Sequence, residues 1–356
     1  MGAATAAGSP ATMRGVVLPG GRRVELREVP VPVPGHGQVL VEVRASSICG
    51  SDLRAIYREH LGRGAEAYTG VIAGHEPAGV VAAAGPGVER FGAGDRVAIY
   101  HIAGCGVCPE CRSGSMVACT GRSRAAHGWQ RDGGHAPYLV AEERTLVPLP
   151  EPLTFADGAC VACGFGTAYE ALCRLGVSGR DRVLVTGLGP VGLAVGMLAK
   201  LLGAREVVGA ETSEPRRALA LELGAVDEAH PPEALAGDAA AVGADVAVDC
   251  SGAAAARVLA LDGLRRFGRC AFVGEGGDVT IDVSRQLIHK DITLLGSWVT
   301  SVARMEELTG LLARTGVHPD RTVTHRFGLE QAAEAYATAD AGAAGKVVIE
   351  PAAPRA

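Results

Sequence analysis

Apolar residues recur in two different rhythms along this chain, and the rhythm changes near residue 165. Before that point, Gln38–Arg44 (QVLVEVR), Gly79–Ala83 and Arg96–Tyr100 are short alternating or apolar runs. They are separated by Gly/Pro punctuation such as Pro30–Gly37 and Gly85–Gly87. Period-two runs between turn residues predict strands, and their spacing predicts a compact all-β or barrel-like domain. Beyond residue 165, strand-length apolar runs alternate with helical stretches. The strands are RVLVTG at 182–187, EVVGAE at 206–211, DVAVDCSG at 245–252, RCAFVGE at 269–275 and TLLGSW at 293–298. The helices between them include Val191–Leu202 and Pro215–Leu223. Such alternation predicts a parallel sheet with helices on both faces. After about residue 300 the pattern predicts a helix over Met305–Arg314 and a last strand, Lys346–Glu350. Residues 1–12 carry no pattern and are read as a flexible extension.

Length and composition narrow the class. At roughly 150 residues per domain, 356 residues predict about two domains. With 48% apolar and 21% charged residues the chain is neither disordered nor highly charged. A net charge of −5 gives no electrostatic case for nucleic acid. The most apolar stretch, Val183–Ala199, is broken by Thr186, Pro190 and several glycines. A membrane span needs ~20 continuous apolar residues, so no membrane partner is expected. The start, MGAATAAGSPATM, has neither the basic region nor the apolar middle of a secretory signal, so the expected location is cytoplasmic. Ten cysteines in such a chain point to metal or thiol chemistry rather than to a disulfide framework.

The densest chemical signal is Cys105-x2-Cys108-x2-Cys111-x7-Cys119. Four thiolates so close in sequence wrap one tetrahedral Zn²⁺, and four protein ligands leave no open position, so the site is expected to be structural. A second set is dispersed: Cys49 in ICGSD, His75-Glu76 in AGHEPAG and Cys163 in ACGFGT, with Cys160 competing for the third place. Two thiolates and an imidazole are the donors of a zinc site whose fourth position stays open to water or substrate. The third motif is VTGLGPVGLAVG, with Gly187, Gly189 and Gly192 around Pro190 and Val191. It follows a strand and opens a helix, and Glu211 ends the next strand, which is the context of a dinucleotide-binding turn. The helix N-terminus stabilises phosphate charge. Glu211 is expected to accept from the adenosine ribose hydroxyls and to repel a 2′-phosphate, which favours NAD over NADP. Against this, Arg216 and Arg217, which follow Ser213, would reach a 2′-phosphate if the loop curls inward.

These motifs, in this order, resemble the zinc-dependent medium-chain dehydrogenase/reductase superfamily, which contains alcohol, sorbitol and threonine dehydrogenases. GHEPAGVVAAAGPGVERFGAGDRV at 74–97 resembles its zinc signature, and the likeness runs from about Met13 to Glu350. The resemblance implies an α/β protein: a GroES-like β-rich catalytic domain plus a Rossmann domain with a doubly wound parallel sheet, the active site lying between them. It implies boundaries at 13–164 for the catalytic domain, 165–300 for the NAD-binding domain and 301–356 for a segment completing the first. Cys49, His75 and Cys163 would then be ligands of a catalytic zinc, Asp52 would orient His75, and Glu76 would stand beside the metal. Ser51 would take the alcohol proton, and Lys346 would reach the cofactor's pyrophosphate. Arg54 stands where alcohol dehydrogenases often carry a histidine as the relay's outlet. The implied activity is NAD-dependent hydride transfer between a secondary alcohol, of polyol or sugar type, and its carbonyl. Two zinc ions per chain and a homodimer or homotetramer are implied with it. A primary alcohol dehydrogenase and a non-catalytic zinc- and nucleotide-binding module are the competing readings.

Overall fold

The computed structural model describes residues 10–60 and 67–351, which divide into two compact units: one holds residues up to Cys163 together with those from Thr300 onward, the other Gly164–Val299. Most of the expected extension at 1–12 lies outside the described residues, and Thr12 already opens a strand.

The first unit is built on a seven-stranded sheet. Its order is Val323–Gly328, Lys346–Glu350, Gln38–Ile48, Glu76–Ala84, Arg96–Ile99 and Leu146–Pro148, with Tyr138–Glu142 also pairing with Gln38–Ile48. The central strand is nearly all buried rather than alternately so, with sheet neighbours on both edges. Val39, Val41 and Val43 pack with Val81, Val97, Ile99 and Leu139 in one core cluster. A separate hairpin pairs Thr12–Gly20 with Arg23–Pro30; its turn takes positive φ at Gly20 and Gly21.

Two contacts fasten the C-terminal segment into this unit. Lys346–Glu350 runs antiparallel to Gln38–Ile48, with Val347 opposite Ile48 and Val348 opposite Ser47. The buried Asp157 closes a capping box with Thr154 on the helix Phe155–Cys160, and also accepts from His318 Nδ1 at 2.8 Å and the Asp320 amide at 2.7 Å.

The second unit holds a six-stranded, all-parallel sheet in the order Glu228–His230, Glu206–Ala210, Arg182–Thr186, Ala244–Asp249, Leu264–Phe272, Thr293–Gly296. The first strand in sequence lies centrally and the chain winds away from it in both directions, so the sheet is doubly wound, as expected. The strands end one to three residues before the expected spans do, and two of the departures have local reasons. The run 245–252 stops at Asp249 because its carboxylate captures the amides of Ser251 and Gly252 at 3.1 Å each and folds CSG into a turn. The strand expected at 269–275 starts earlier, at Leu264, through an irregularity at Phe267, whose φ is +64°.

Candidate functional site

The dispersed donors meet at one end of the first unit's sheet. Cys49 follows the strand Gln38–Ile48, Glu76 begins its antiparallel neighbour with His75 just before it, and Cys163 follows the helix Phe155–Cys160. One ligand atom from each of Cys49, His75, Glu76 and Cys163 lies within 4.8 Å of the others. Cys160 is not in this set; it is buried, and burial pushes its thiol up to about 12.

Asp52 organises the group. Fully buried, it accepts from the Cys49 amide at 3.0 Å through one oxygen and meets His75 Nδ1 at 2.8 Å through the other. Nδ1 is thereby engaged, which leaves Nε2 as the ring's ligand atom. Burial opposes charge on His75, but the Asp52 carboxylate and Cys49 outweigh it and hold the ring well above its ordinary value. A hydrogen bond from Cys163 holds Cys49 well below the ordinary thiol range, while the same bond and burial drive Cys163 upward. Two sulfurs sharing a proton beside an imidazole are donors that a divalent cation would replace that proton to bind.

Further groups frame the site. Burial pushes Glu76 up to about 7 against the opposing pull of Lys346, whose ammonium lies 2.5 Å from Glu76 Oε2. The Ser47 hydroxyl binds the same oxygen. Lys346, expected at the cofactor's pyrophosphate, is thus a buried partner of Glu76. The ring of His101 lies 5.0 Å from that of His75, and the indole of Trp129 meets it edge-on at 6.4 Å. Burial lowers His101 to about 3, so it stays neutral. Ser51 is half-buried at the start of the helical turn Asp52–Tyr57 and makes no capping bond to it.

Cys105, Cys108, Cys111 and Cys119 likewise bring their sulfurs within 4.8 Å of one another. Backbone amides point at these sulfurs: Cys105 N at Cys119 Sγ (3.2 Å), Gly121 N at Cys119 Sγ (3.2 Å) and Cys108 N at Cys105 Sγ (3.4 Å). Amides of Val107 and Cys108 bring the Cys105 thiol down to about 6. The neighbouring backbone is close enough that a Cβ on Gly121 would meet Cys105 Sγ at 3.0 Å. Both clusters therefore fit zinc on their donor chemistry.

In the second unit, Gly187 has φ +88°, and a Cβ there would meet Ser251 Cβ at 2.8 Å. Pro190 and Val191 begin the helix Pro190–Leu201, and Gly192 packs its Cα against the Gly187 carbonyl. Glu211, 7% exposed, accepts from the Leu188 amide at 2.8 Å, the Ser213 amide at 2.9 Å and the Thr212 hydroxyl at 3.1 Å. Arg216 Nη1 stands 4.0 Å from the same carboxylate. Sequence reasoning missed Asp249, which holds the Ser251 turn opposite Gly187; the strand-end Asp before Ser and Gly was its only signal.

Residues 35–151 match the alcohol dehydrogenase GroES-like domain family and residues 190–314 the zinc-binding dehydrogenase family. The chain is 48% identical to the uncharacterized zinc-type alcohol dehydrogenase-like protein YphC of Escherichia coli K12, over 95% of this chain and 98% of that one. It is 32% identical to a sorbitol dehydrogenase of Halalkalibacterium halodurans, over 92% and 95%. Its fold superposes with a TM-score of 0.85, at 27% identity, on a zinc-binding dehydrogenase of Sinorhizobium meliloti solved bound to NADP, over 96% and 100% of the chains. The chain belongs to the zinc-dependent medium-chain dehydrogenase/reductase superfamily, and its relatives are oxidoreductases of the alcohol, sorbitol and threonine dehydrogenase type. No helix among the described residues is long and apolar enough to cross a membrane.

Proposed function

We propose that this protein is an NAD-dependent dehydrogenase that interconverts a secondary alcohol, of polyol or sugar type, with its carbonyl, using one catalytic and one structural zinc per chain. The observation that carries this reading is the Cys49–His75–Cys163 donor set, with Asp52 bound to the histidine. Three such donors are a catalytic set, whereas the four-cysteine lobe is a closed one. Zinc at the first set supplies Lewis acidity toward the substrate oxygen. NAD supplies the hydride acceptor.

The chain's own residues do the rest. Asp52 keeps the His75 ring in one orientation and tautomer. Ser51 takes the alcohol proton and passes it outward; the Arg54 guanidinium has donors and no acceptor, so it cannot serve as the outlet base. The amide end of the helix Pro190–Leu201 holds the pyrophosphate, and Glu211 and Arg216 flank the adenosine ribose. The sorbitol dehydrogenase relative supports the polyol reading. The test is zinc content together with turnover on a panel of polyols, simple alcohols and L-threonine, each with NAD and with NADP. Two zincs and best efficiency on a polyol with NAD are expected. Full activity with one zinc per chain, or better efficiency with NADP, overturns the corresponding part.

A further inference from the structure

Three turns meet at the end of the second unit's sheet where the glycine motif lies. They follow the adjacent strands Arg182–Thr186, Ala244–Asp249 and Leu264–Phe272. Their backbones touch directly. A Cβ on Gly187 would strike Ser251, and one on Gly252, Gly274 or Gly276 would strike the backbone of the turn it faces. No room is left for a side chain between the turns, so the shape of the joint depends on what holds the backbone from behind.

Arg257 does that holding. It lies on the helix Ala254–Asp262, with its side chain 12% exposed. Nη2 donates to the Gly274 carbonyl at 2.8 Å and Nη1 to that of Gly277 at 2.6 Å. Nε is sealed from solvent and faces Asp249 Oδ2 at 3.5 Å, and the guanidinium carbon lies 5.5 Å from the centre of the Phe272 ring. The Asp249 carboxylate also accepts from the Thr186 hydroxyl at 3.0 Å and the Ser251 hydroxyl at 2.8 Å, besides the two amides already described. Its carbonyl accepts from the amides of Val273 and Gly274 at 2.9 and 2.8 Å. The segment Gly274–Gly277 (GEGG) holds three glycines and so has much conformational freedom to lose. One planar fork fixes both of its ends and supplies the counter-charge to Asp249.

Strand order says which part of a dinucleotide this wall serves. Glu211 follows the strand on one side of Arg182–Thr186, and Asp249 ends the strand on the other. With adenosine at Glu211 and pyrophosphate at the Gly187 turn, the second nucleoside extends over the ends of Ala244–Asp249 and Leu264–Phe272. We infer that Arg257 is a positioning residue for the nicotinamide half of the cofactor: it holds the Gly274–Gly277 turn against the Ser251 turn in the shape that receives that half. The inference rests on the proposed dinucleotide site and is independent of the metal sets and of the choice between NAD and NADP.

The test compares NADH with ADP, which carries adenosine and pyrophosphate but no nicotinamide, on the zinc-loaded full chain. NADH binding is read by its fluorescence and ADP binding by calorimetry. Arg257→Met removes the donors and should weaken NADH by about ten- to a hundredfold, the reach of a charge-assisted hydrogen bond, while ADP binds as before. Arg257→Lys, a point charge that serves one carbonyl at a time, should fall between. Where the orphaned Asp249 carboxylate prevents Arg257→Met from folding, Arg257→Met/Asp249→Asn removes that charge and, judged against Asp249→Asn alone, carries the same expectation. A merely structural role predicts a lower melting temperature with both affinities kept, or both lost together; either result overturns the inference. A wild-type chain that binds only NADPH is tested with NADPH and 2′-phospho-ADP in their place. One that binds neither NADH nor NADPH overturns the dinucleotide reading together with the inference, whereas NADH binding untouched by Arg257→Met overturns the inference alone.

Discussion

Two buried histidines make this protein's stability sensitive to mild acid. His127 and His135 are both 0% exposed. His127 Nδ1 lies 2.9 Å from the Asp132 carbonyl and His135 Nδ1 3.2 Å from the Tyr336 hydroxyl. The Nε2 of each is sealed, with no hydrogen-bond partner among the described residues; the Glu142 carboxylate stands 3.9 Å from that of His127, beyond hydrogen-bond reach. Burial pushes both rings down to about 4; the Arg131 charge adds to this at His127, and the Asp52 charge opposes it at His135. An unfolded histidine titrates near ~6.5, so below that pH the unfolded chain binds more protons than the folded one. The contribution is intact above about pH 6.5 and is lost progressively as pH falls toward about 4. Between pH 7 and pH 5 each ring should remove about 2 kcal/mol, against a total stability of roughly 5–15 kcal/mol. The assay is urea unfolding at the two pH values with zinc present, on the wild type and on His127→Asn and His135→Asn. An asparagine amide stands where Nδ1 does and cannot titrate. Each variant will be weaker at pH 7 because it leaves space behind, but its further loss at pH 5 should be about 2 kcal/mol smaller than the wild type's. Variants that lose as much as the wild type would show that these rings are not held neutral.

Other expectations follow from single contacts. Cys111→Ser should lower thermal stability and leave one zinc per chain, whereas Cys49→Ser should abolish turnover with the fold retained; calorimetry beside metal analysis separates them, and equal loss of stability in both would contradict the division. Ser51→Ala should cut turnover by roughly 10²–10⁴-fold at unchanged zinc content, and an unaltered pH–rate profile would assign the proton to water instead. Glu211→Ala should lower efficiency with NAD by about ten- to a hundredfold, one charged hydrogen bond's worth, and narrow the gap to NADP; no change in the ratio of the two cofactors would remove Glu211 from that role. Phe267 is 68% exposed and held at φ +64°, so little packing is lost in Phe267→Gly. Relief of left-handed strain, about 1–2 kcal/mol, less glycine's entropy, about 0.5–1 kcal/mol, should raise the melting temperature, and a fall would refute it.

How much of this was legible in sequence depends on how local each feature is. The parallel sheet could be read because five of its six strands carry their own apolar run, and the glycine turn because its residues are contiguous; the edge strand Glu228–His230 (EAH) has no such run and was missed. Strand ends were less legible: nothing in DVAVDCSG says that the Asp249 carboxylate will bind the amides of Ser251 and Gly252 and stop the strand. The hairpin Thr12–Pro30 was missed because its second strand, RVELREVP, is mostly exposed and polar and offers no apolar run.

The metal set shows the same division more sharply. The four-cysteine lobe is written within fifteen consecutive residues, so spacing alone suggests it. Cys49, His75 and Cys163 are far apart in sequence; donor type suggested the group, but Cys160 competed with Cys163 until the resemblance to a family was taken into account. The contact of Glu76 with Lys346 was out of reach even then, because it is a matter of register. Moving the strand Lys346–Glu350 by one residue against Gln38–Ile48 would send Lys346 to the opposite face of the sheet and leave Glu76 without its counter-charge. The burial of Ser46 and Ser47 at the end of an apolar strand is the one local trace. A serine in a core strand is unfavourable unless something nearby needs its hydroxyl, and for Ser47 that something is the carboxylate one strand away, whereas the Ser46 hydroxyl has no hydrogen-bond partner among the described residues.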